Sequence, residues 1–132
     1  MQTILQQLRQ STYESTPLFS LKGKRCKGKV LNISTGDTLC IALPVFDQIY
    51  AYNARMYGYE FPVLQPLETI LNRYVNAERT KRRLEELTLN LDLVDVELLD
   101  FDEQGRVWVK LYHNGICIND QLIQEGFAKT LL

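Results

Sequence analysis

The chain is poor in the residues that build metal centres and disulfide frameworks. Its 132 residues include three cysteines, Cys26, Cys40 and Cys117, and a single histidine, His113, and no two cysteines have CxxC spacing. Scattered cysteines in an odd number predict reduced thiols in an intracellular compartment, cytoplasmic or nuclear, rather than a disulfide frame or a zinc site. The sequence also lacks a Gly-rich phosphate loop and a Ser-His-Asp catalytic set.

Long apolar runs are missing as well. No apolar segment approaches the ~18–20 residues that span a bilayer, and the N-terminal residues lack the basic and then apolar order of a signal peptide. We therefore expect no membrane partner. With 45% hydrophobic and 23% charged residues, the composition is typical of a globular protein.

Charge is nearly balanced overall but unevenly distributed along the chain. The net charge is -1 at pH 7, yet residues 1–29 contain six Lys or Arg and only one acidic residue, Glu14. The basic residues from Lys22 to Lys29 could contact phosphates, and they also fit a solvated segment that leads into the first strand. The balance is not that of a strong, nonspecific DNA binder, so nucleic acid and protein both remain candidate partners.

The sequence pattern predicts an N-terminal arm followed by one barrel domain. Residues 1–26 form the arm, with a short amphipathic helix over 2–10 and a Ser/Thr-rich linker over 11–20, and residues 27–132 form the domain. A homo-oligomer or protein contact through residues 1–20 is one interpretation of the arm. We expect an α+β fold, a five-stranded OB-fold-type β-barrel with two or three helices.

The predicted strands and helices carry three further expectations. A break in alternation at Leu93-Val94 indicates a bulge, the Asn114-Gly115 pair indicates a tight turn, and alternate tyrosines from Tyr50 to Tyr59 suggest an aromatic strand face. The predicted strands are 29–33, 38–43, 48–56, 91–99 and 106–112, and the predicted helices are 68–74, 76–87 and 117–124.

Four segments resemble the staphylococcal nuclease (thermonuclease) family in order and spacing. They are Gly36-Asp37-Thr38, the stretch from Arg55 to Val63, Gly105-Arg106, and the run from Gly115 to Lys129. The resemblance covers residues 27–132. It implies a calcium-dependent nuclease site in which Asp37, Glu60 and the carbonyl of Phe61 bind the metal, because calcium prefers oxygen ligands. Arg55 and Arg106 would clamp the phosphate and stabilise the transition-state charge.

Several positions depart from the family pattern. Val63 stands where the family has its general base, a carboxylate that activates the attacking water, and losing such a base removes ~10²–10⁴ in rate. Glu60 replaces the usual aspartate and is one methylene longer. Gln104 and Leu132 replace tyrosines near the nucleotide, and Glu68 is the candidate substitute base.

Three functional hypotheses follow from this pattern. The first is a nuclease-like domain with impaired catalysis that acts as a nucleic-acid- or protein-binding module. The second is an active Ca²⁺-dependent nuclease that hydrolyses DNA or RNA. The third is a structural or assembly protein that oligomerises through its N-terminal arm. Val63 favours the first over the second.

Overall fold

Five strands with alternating buried and exposed residues form a closed barrel. The computed structural model describes the backbone of residues 1–60 and 69–130 and the side chains of residues 1–60 and 77–130. In chain order the elements are α1 (Ile4–Gln10), β1 (Arg25–Ile33), β2 (Thr38–Leu43), β3 (Tyr50–Met56), β4 (Tyr59–Glu60), α2 (Thr69–Thr88), β5 (Val94–Phe101), β6 (Val107–His113), β7 (Ile116–Cys117), α3 (Ile118–Gln124) and β8 (Lys129–Thr130), with a 3-10 turn at Val45–Asp47.

The barrel order is β3-β2-β1-β5-β6, and a parallel pairing between β3 and β6 closes it. The other four neighbouring pairs are antiparallel. Across the parallel seam, Ala54 lies opposite Val107 and Arg55 lies opposite Trp108. With three helices in the described part of the chain, this confirms the predicted α+β barrel of OB-fold type.

The core lies inside the barrel and under α2 and α3. Along β6, Val107, Val109 and Leu111 point inward while the residues between them face outward. Leu84 of α2 and Leu122 of α3 are fully buried against this core. Burying one such leucine stabilises the fold by about 1.5–3 kcal/mol, so apolar alternation is the main reason these segments pair.

A close approach between strands requires glycine at position 28. A Cβ atom built on Gly28 of β1 would lie 2.9 Å from Leu43 and 2.9 Å from Val96, both inside the barrel. Only a residue without a side chain lets the walls approach this closely without displacing core atoms.

The structure corrects the predicted helix boundaries. The separate helices expected at 68–74 and 76–87 are one helix, Thr69–Thr88. No Pro or Gly interrupts this segment, and a residue such as Asn76 costs only about 0.5–0.7 kcal/mol inside a helix, which is too little to end it.

Two predictions about the strands were wrong in position. The expected bulge at Leu93-Val94 is absent because β5 begins at Val94, and the register shift in this strand lies between Leu98 and Phe101. The expected aromatic face is broken by a turn at residues 57–58, so that Tyr59 is buried while Tyr50 is exposed. The tight turn after His113 is present, with positive φ at Asn114 and Gly115.

The N-terminal arm has one ordered helix with exposed apolar residues. Thr3 caps α1, since its hydroxyl accepts from the backbone of Gln6 and the Gln6 side chain accepts from Thr3. The segment that follows α1 contacts the barrel from Phe19 onward, Leu21 is buried in the core, and β1 starts at Arg25. In the described ranges, no helix has both the length and the apolar character needed to cross a membrane.

Candidate functional site

The turn between β1 and β2 is tied to the end of β3. The Thr35 hydroxyl donates to Asp37 Oδ1 at 2.8 Å, which shapes the turn, and the backbone N–H of Met56 donates to the Asp37 carbonyl at 2.7 Å. The Arg55 Nε atom lies 3.4 Å from Asp37 Oδ2. The predicted metal ligand Asp37 and the predicted phosphate clamp Arg55 are therefore adjacent.

A buried carboxylate joins the two predicted clamps. Asp102 is 6% exposed at its side chain, and its Oδ2 atom accepts from Arg106 Nε at 2.7 Å and lies 4.0 Å from Arg55 Nη1. Its Oδ1 atom accepts from the backbone N–H groups of Gln104 and Arg106. Asp102 thus shapes the loop and positions both guanidinium groups.

The contacts of Asp102 favour its charged form. Burial of the carboxyl opposes ionisation, but hydrogen bonds from Arg106 and Gln104 outweigh burial and hold the pKa of Asp102 below its usual value. Sequence reasoning assigned this residue only to a turn. The signal was the spacing Asp-x-x-Gly-Arg, in which an aspartate starts an Asx-type turn and an arginine follows it.

Cations and aromatic rings alternate on the outer face of the β3–β6 seam. The guanidinium carbon of Arg55 lies 4.6 Å from the centroid of the Trp108 ring. Tyr57 meets Trp108 edge-to-face with centroids 5.9 Å apart, and the Lys110 ammonium lies 5.6 Å from the Tyr57 ring. We call these four residues the seam surface. Cation–π and aromatic contacts of this kind hold flat side chains in fixed orientations near solvent.

A groove of about 480 Å³ runs beside the seam surface. It is lined by Arg55 of β3, by Trp108 of β6 and by the loop that carries Arg106. The lining residues are Arg55, Phe101, Asp102, Glu103, Gln104, Arg106 and Trp108. The groove combines two arginines and an aromatic ring with the carboxylates of Asp102 and Glu103. Arginine forks beside an aromatic ring suit a planar, anionic ligand.

A buried amide holds the seam from the inside. Asn119 of α3 is almost fully buried, and its Nδ2 atom donates to the carbonyls of Tyr57 at 2.8 Å and Val109 at 3.1 Å. Its Oδ1 atom accepts from the backbone of Leu111 at 3.0 Å. One side chain therefore links α3 to the strand end that presents Tyr57 and to the strand that presents Trp108.

The position of Glu60 differs from that of the other predicted site residues. Tyr59 is buried and donates its hydroxyl to the Gly36 carbonyl at 2.5 Å, and burial raises the pKa of Tyr59 above its usual range. Glu60 is exposed on β4, where its backbone lies opposite Lys129 of β8. Because successive strand residues face opposite sides, Tyr59 anchors to the Gly36–Asp37 turn while Glu60 points away from that anchor.

The predicted calcium ligands are only partly described. Phe61, Val63 and the candidate base Glu68 lie outside the described residues, so the structure gives no distances from these three residues to Asp37. In residues 1–60 and 77–130, no three His, Cys, Asp or Glu side chains form a group suited to a metal ion. Asp37 can offer carboxylate oxygens to calcium, but these already contact Thr35 and Arg55.

Comparison with known proteins adds no family assignment. No protein-family model matches this sequence, and no curated protein matches it.

Proposed function

We propose that this protein is a staphylococcal nuclease-like barrel that binds single-stranded nucleic acid along its groove and has impaired hydrolytic activity. The observation that carries this proposal is the convergence of Arg55 and Arg106 on Asp102 beside the Trp108 ring. Arginines that face a groove can hold phosphates through their planar forks, and the half-buried Trp108 ring, which lines the groove, can stack a base.

The carboxylates that contact Arg55 and Arg106 lower the affinity that we expect for nucleic acid. Arg55 contacts both Asp37 and Asp102, and Arg106 contacts Asp102, so the two cations are partly neutralised within the protein. Each arginine has five N–H donors, and these contacts use only part of that capacity. With a net charge of -1, the protein should bind weakly and lose affinity as salt concentration rises.

The impaired catalysis rests on Val63. Valine cannot accept a proton from water or orient it, so the family's general base has no equivalent at this position. An active Ca²⁺-dependent nuclease, with Asp37, Glu60 and the Phe61 carbonyl as metal ligands and Glu68 as base, is the alternative. The observation that favours this alternative is that the predicted metal ligand Asp37 lies beside the predicted phosphate clamp Arg55, although the guanidinium occupies one carboxylate oxygen.

Fluorescence anisotropy with a labelled oligothymidylate tests the binding proposal. The wild type should bind, and Arg55→Ala and Arg106→Ala should each weaken binding roughly tenfold, because each removes a charge-assisted phosphate contact. Arg82→Ala is the matched control, since Arg82 is an exposed arginine on α2, away from the groove-lining residues. Absence of wild-type binding at low salt would reject the proposal.

A cleavage assay distinguishes the proposed impaired nuclease from the active Ca²⁺-dependent nuclease. We expect little cleavage of single-stranded DNA or RNA by the wild type, with calcium or with chelator. Val63→Glu should raise calcium-dependent cleavage, and Asp37→Ala should abolish that gain. Strong wild-type cleavage that disappears on Asp37→Ala would instead establish the active nuclease.

The N-terminal arm supports a second candidate function, self-association or protein binding through residues 1–20. Ile4, Leu5 and Leu8 are all exposed on a capped helix. Replacing Leu5 and Leu8 by Gln should lower the mass measured by light scattering if α1 joins two copies. An unchanged mass, with the fold intact, would remove the homo-oligomer and leave only a different protein as the partner of the arm.

A further inference from the structure

Three phenylalanines from distant parts of the chain form an exposed cluster. The ring of Phe19 stacks beside that of Phe46, with centroids 6.0 Å apart, and beside that of Phe101, with centroids 6.1 Å apart. The planes differ by only 30° and 29°. The side chains remain exposed, at 64%, 66% and 38% respectively. We call this cluster the phenylalanine platform.

The chain around Phe19 is fastened to the end of β5. Ser20 donates its hydroxyl to the Asp100 carboxylate, and Leu21 is buried in the core. The backbone N–H of Gly23 then donates to the Leu98 carbonyl at 2.9 Å. These contacts place Phe19 beside Phe101, which is the last residue of β5.

Phe46 is presented by an unfavourable backbone conformation. Phe46 and Asp47 both have a φ of 62°, the left-handed region that residues with a side chain rarely adopt. Such conformations cost energy and concentrate at binding and active sites, where they orient a side chain for use. Here the conformation accompanies an exposed aromatic ring that contributes little to the core.

The platform is continuous with the groove. Phe101 belongs to both, because it stacks on Phe19 and also lines the groove that contains Arg55 and Arg106. The residue after Phe101 is Asp102, which positions both arginines. A ligand that leaves the groove past Phe101 therefore meets the ring of Phe19 next.

We propose that the phenylalanine platform stacks bases of the same single strand whose phosphates contact Arg55 and Arg106. This inference rests on the proposed function. Nucleobases fit because each has a flat apolar face, and rows of aromatic side chains beside cationic grooves bind single strands without sequence preference. Lys22 and Lys24, which follow Phe19 closely in the sequence, are exposed.

The test compares a short and a longer single strand. A thymidine dinucleotide reaches only the groove, whereas an oligothymidylate of about eight nucleotides can also reach the platform. The variant Phe19→Ala/Phe46→Ala should bind the longer strand roughly 5- to 100-fold more weakly and bind the dinucleotide as the wild type does. Phe46→Leu, which keeps an apolar side chain without a ring, should also lose affinity for the longer strand.

The control variant is Ile49→Ala, which removes an exposed apolar side chain outside the platform and should leave both affinities unchanged. Circular dichroism verifies that each variant is folded. If the wild type binds both strands and the double variant binds each of them as tightly as the wild type does, the platform proposal is wrong while the groove proposal stands. If the wild type binds neither strand, both proposals fail. A double variant that changes only the mass in light scattering would identify the platform as a protein contact and overturn the inference.

Discussion

Arg55 and Trp108 face each other across the parallel β3–β6 seam, with the guanidinium carbon 4.6 Å from the centroid of the indole ring. The same arginine contacts Asp37 and Asp102. The seam that closes the barrel is therefore also the place where an aromatic face, a cation and two carboxylates meet. The pairing of β3 with β6 therefore both closes the barrel and brings the residues of the candidate site together.

Trp108 should report ligand binding directly. It is the single tryptophan of the chain, and it lines the groove. Adding oligothymidylate should quench its fluorescence, because a base stacked near the indole changes its environment. Trp108→Ala should weaken binding roughly 5- to 100-fold, and Trp108→Phe should retain part of the affinity. Fluorescence that does not respond to a strand that binds would place that strand elsewhere on the barrel.

Replacing Asp102 by Asn should separate stability from binding. The Oδ1 acceptor for the two backbone N–H groups is kept, while the negative charge beside Arg106 and Arg55 is lost. We expect about 1–3 kcal/mol less stability in urea unfolding, together with tighter oligonucleotide binding at low salt, because both arginines are released.

The effect of Asp102 on stability should depend on pH. Its pKa is lowered in the folded protein, so its contribution is complete above the usual aspartate pKa of about 4 and is lost as pH falls further. The difference between wild type and Asp102→Asn should therefore shrink in acid. A difference that is constant from neutral pH to about pH 2 would contradict this account.

Asn119 should prove essential for the seam. Asn119→Ala removes one acceptor and two donated hydrogen bonds in a buried position, so we expect a loss of about 2–4 kcal/mol in the free energy of unfolding. Asn119→Asp should be worse at neutral pH than in mild acid, since a carboxylate would face the carbonyls of Tyr57 and Val109. Asn53→Ala, at an exposed strand position, is the control and should cost less than about 0.5 kcal/mol.

The contact between α2 and the end of α3 should give an acid-dependent contribution to stability. Arg83 donates to both oxygens of Glu125, at 2.6 Å and 3.0 Å, and these hydrogen bonds, with one from Gln121, lower the pKa of Glu125 from its usual 4.5 to about 2. Because the folded pKa is lowered, the contribution is complete above pH 4.5 and is lost as pH falls towards 2.

Glu125→Gln should consequently lower stability by about 1–2 kcal/mol at pH 7, allowing for solvent screening of a partly exposed pair. Urea unfolding at pH 7 and at about pH 2.5 measures this difference, which should be smaller at the lower pH. Glu103→Gln, in an exposed turn, is a suitable control and should show little effect at either pH. Equal destabilisation by Glu125→Gln at both pH values would show that charge is not the cause.

The strands were predictable because their apolar alternation is local. Val107, Val109 and Leu111 alternate with polar or amphipathic residues, and this pattern allows only one face of β6 to be buried. The positions of strand ends were less predictable. The exposure of Tyr57 and the burial of Tyr59 depend on a turn at Gly58 that interrupts the alternation.

Among the candidate site residues, sequence order indicated Asp37, Arg55 and Arg106 but not the residue that connects the two arginines. Asp102 looks like an ordinary turn residue in the sequence, because its role depends on β3 and β6 lying side by side. The phenylalanine platform could not be predicted either, because its three rings come from segments that are far apart along the chain.

The sequence by itself determined the five barrel strands and the approximate positions of the helices, though not their ends, since periodicity and turn residues act over a few neighbouring positions. It also determined that a carboxylate is absent at position 63. The tertiary structure decided which side chains meet: Arg55 with Trp108, both arginines with Asp102, and Phe19 with Phe101. The physical reason is that barrel closure and strand register, which arise from long-range pairing, set those distances.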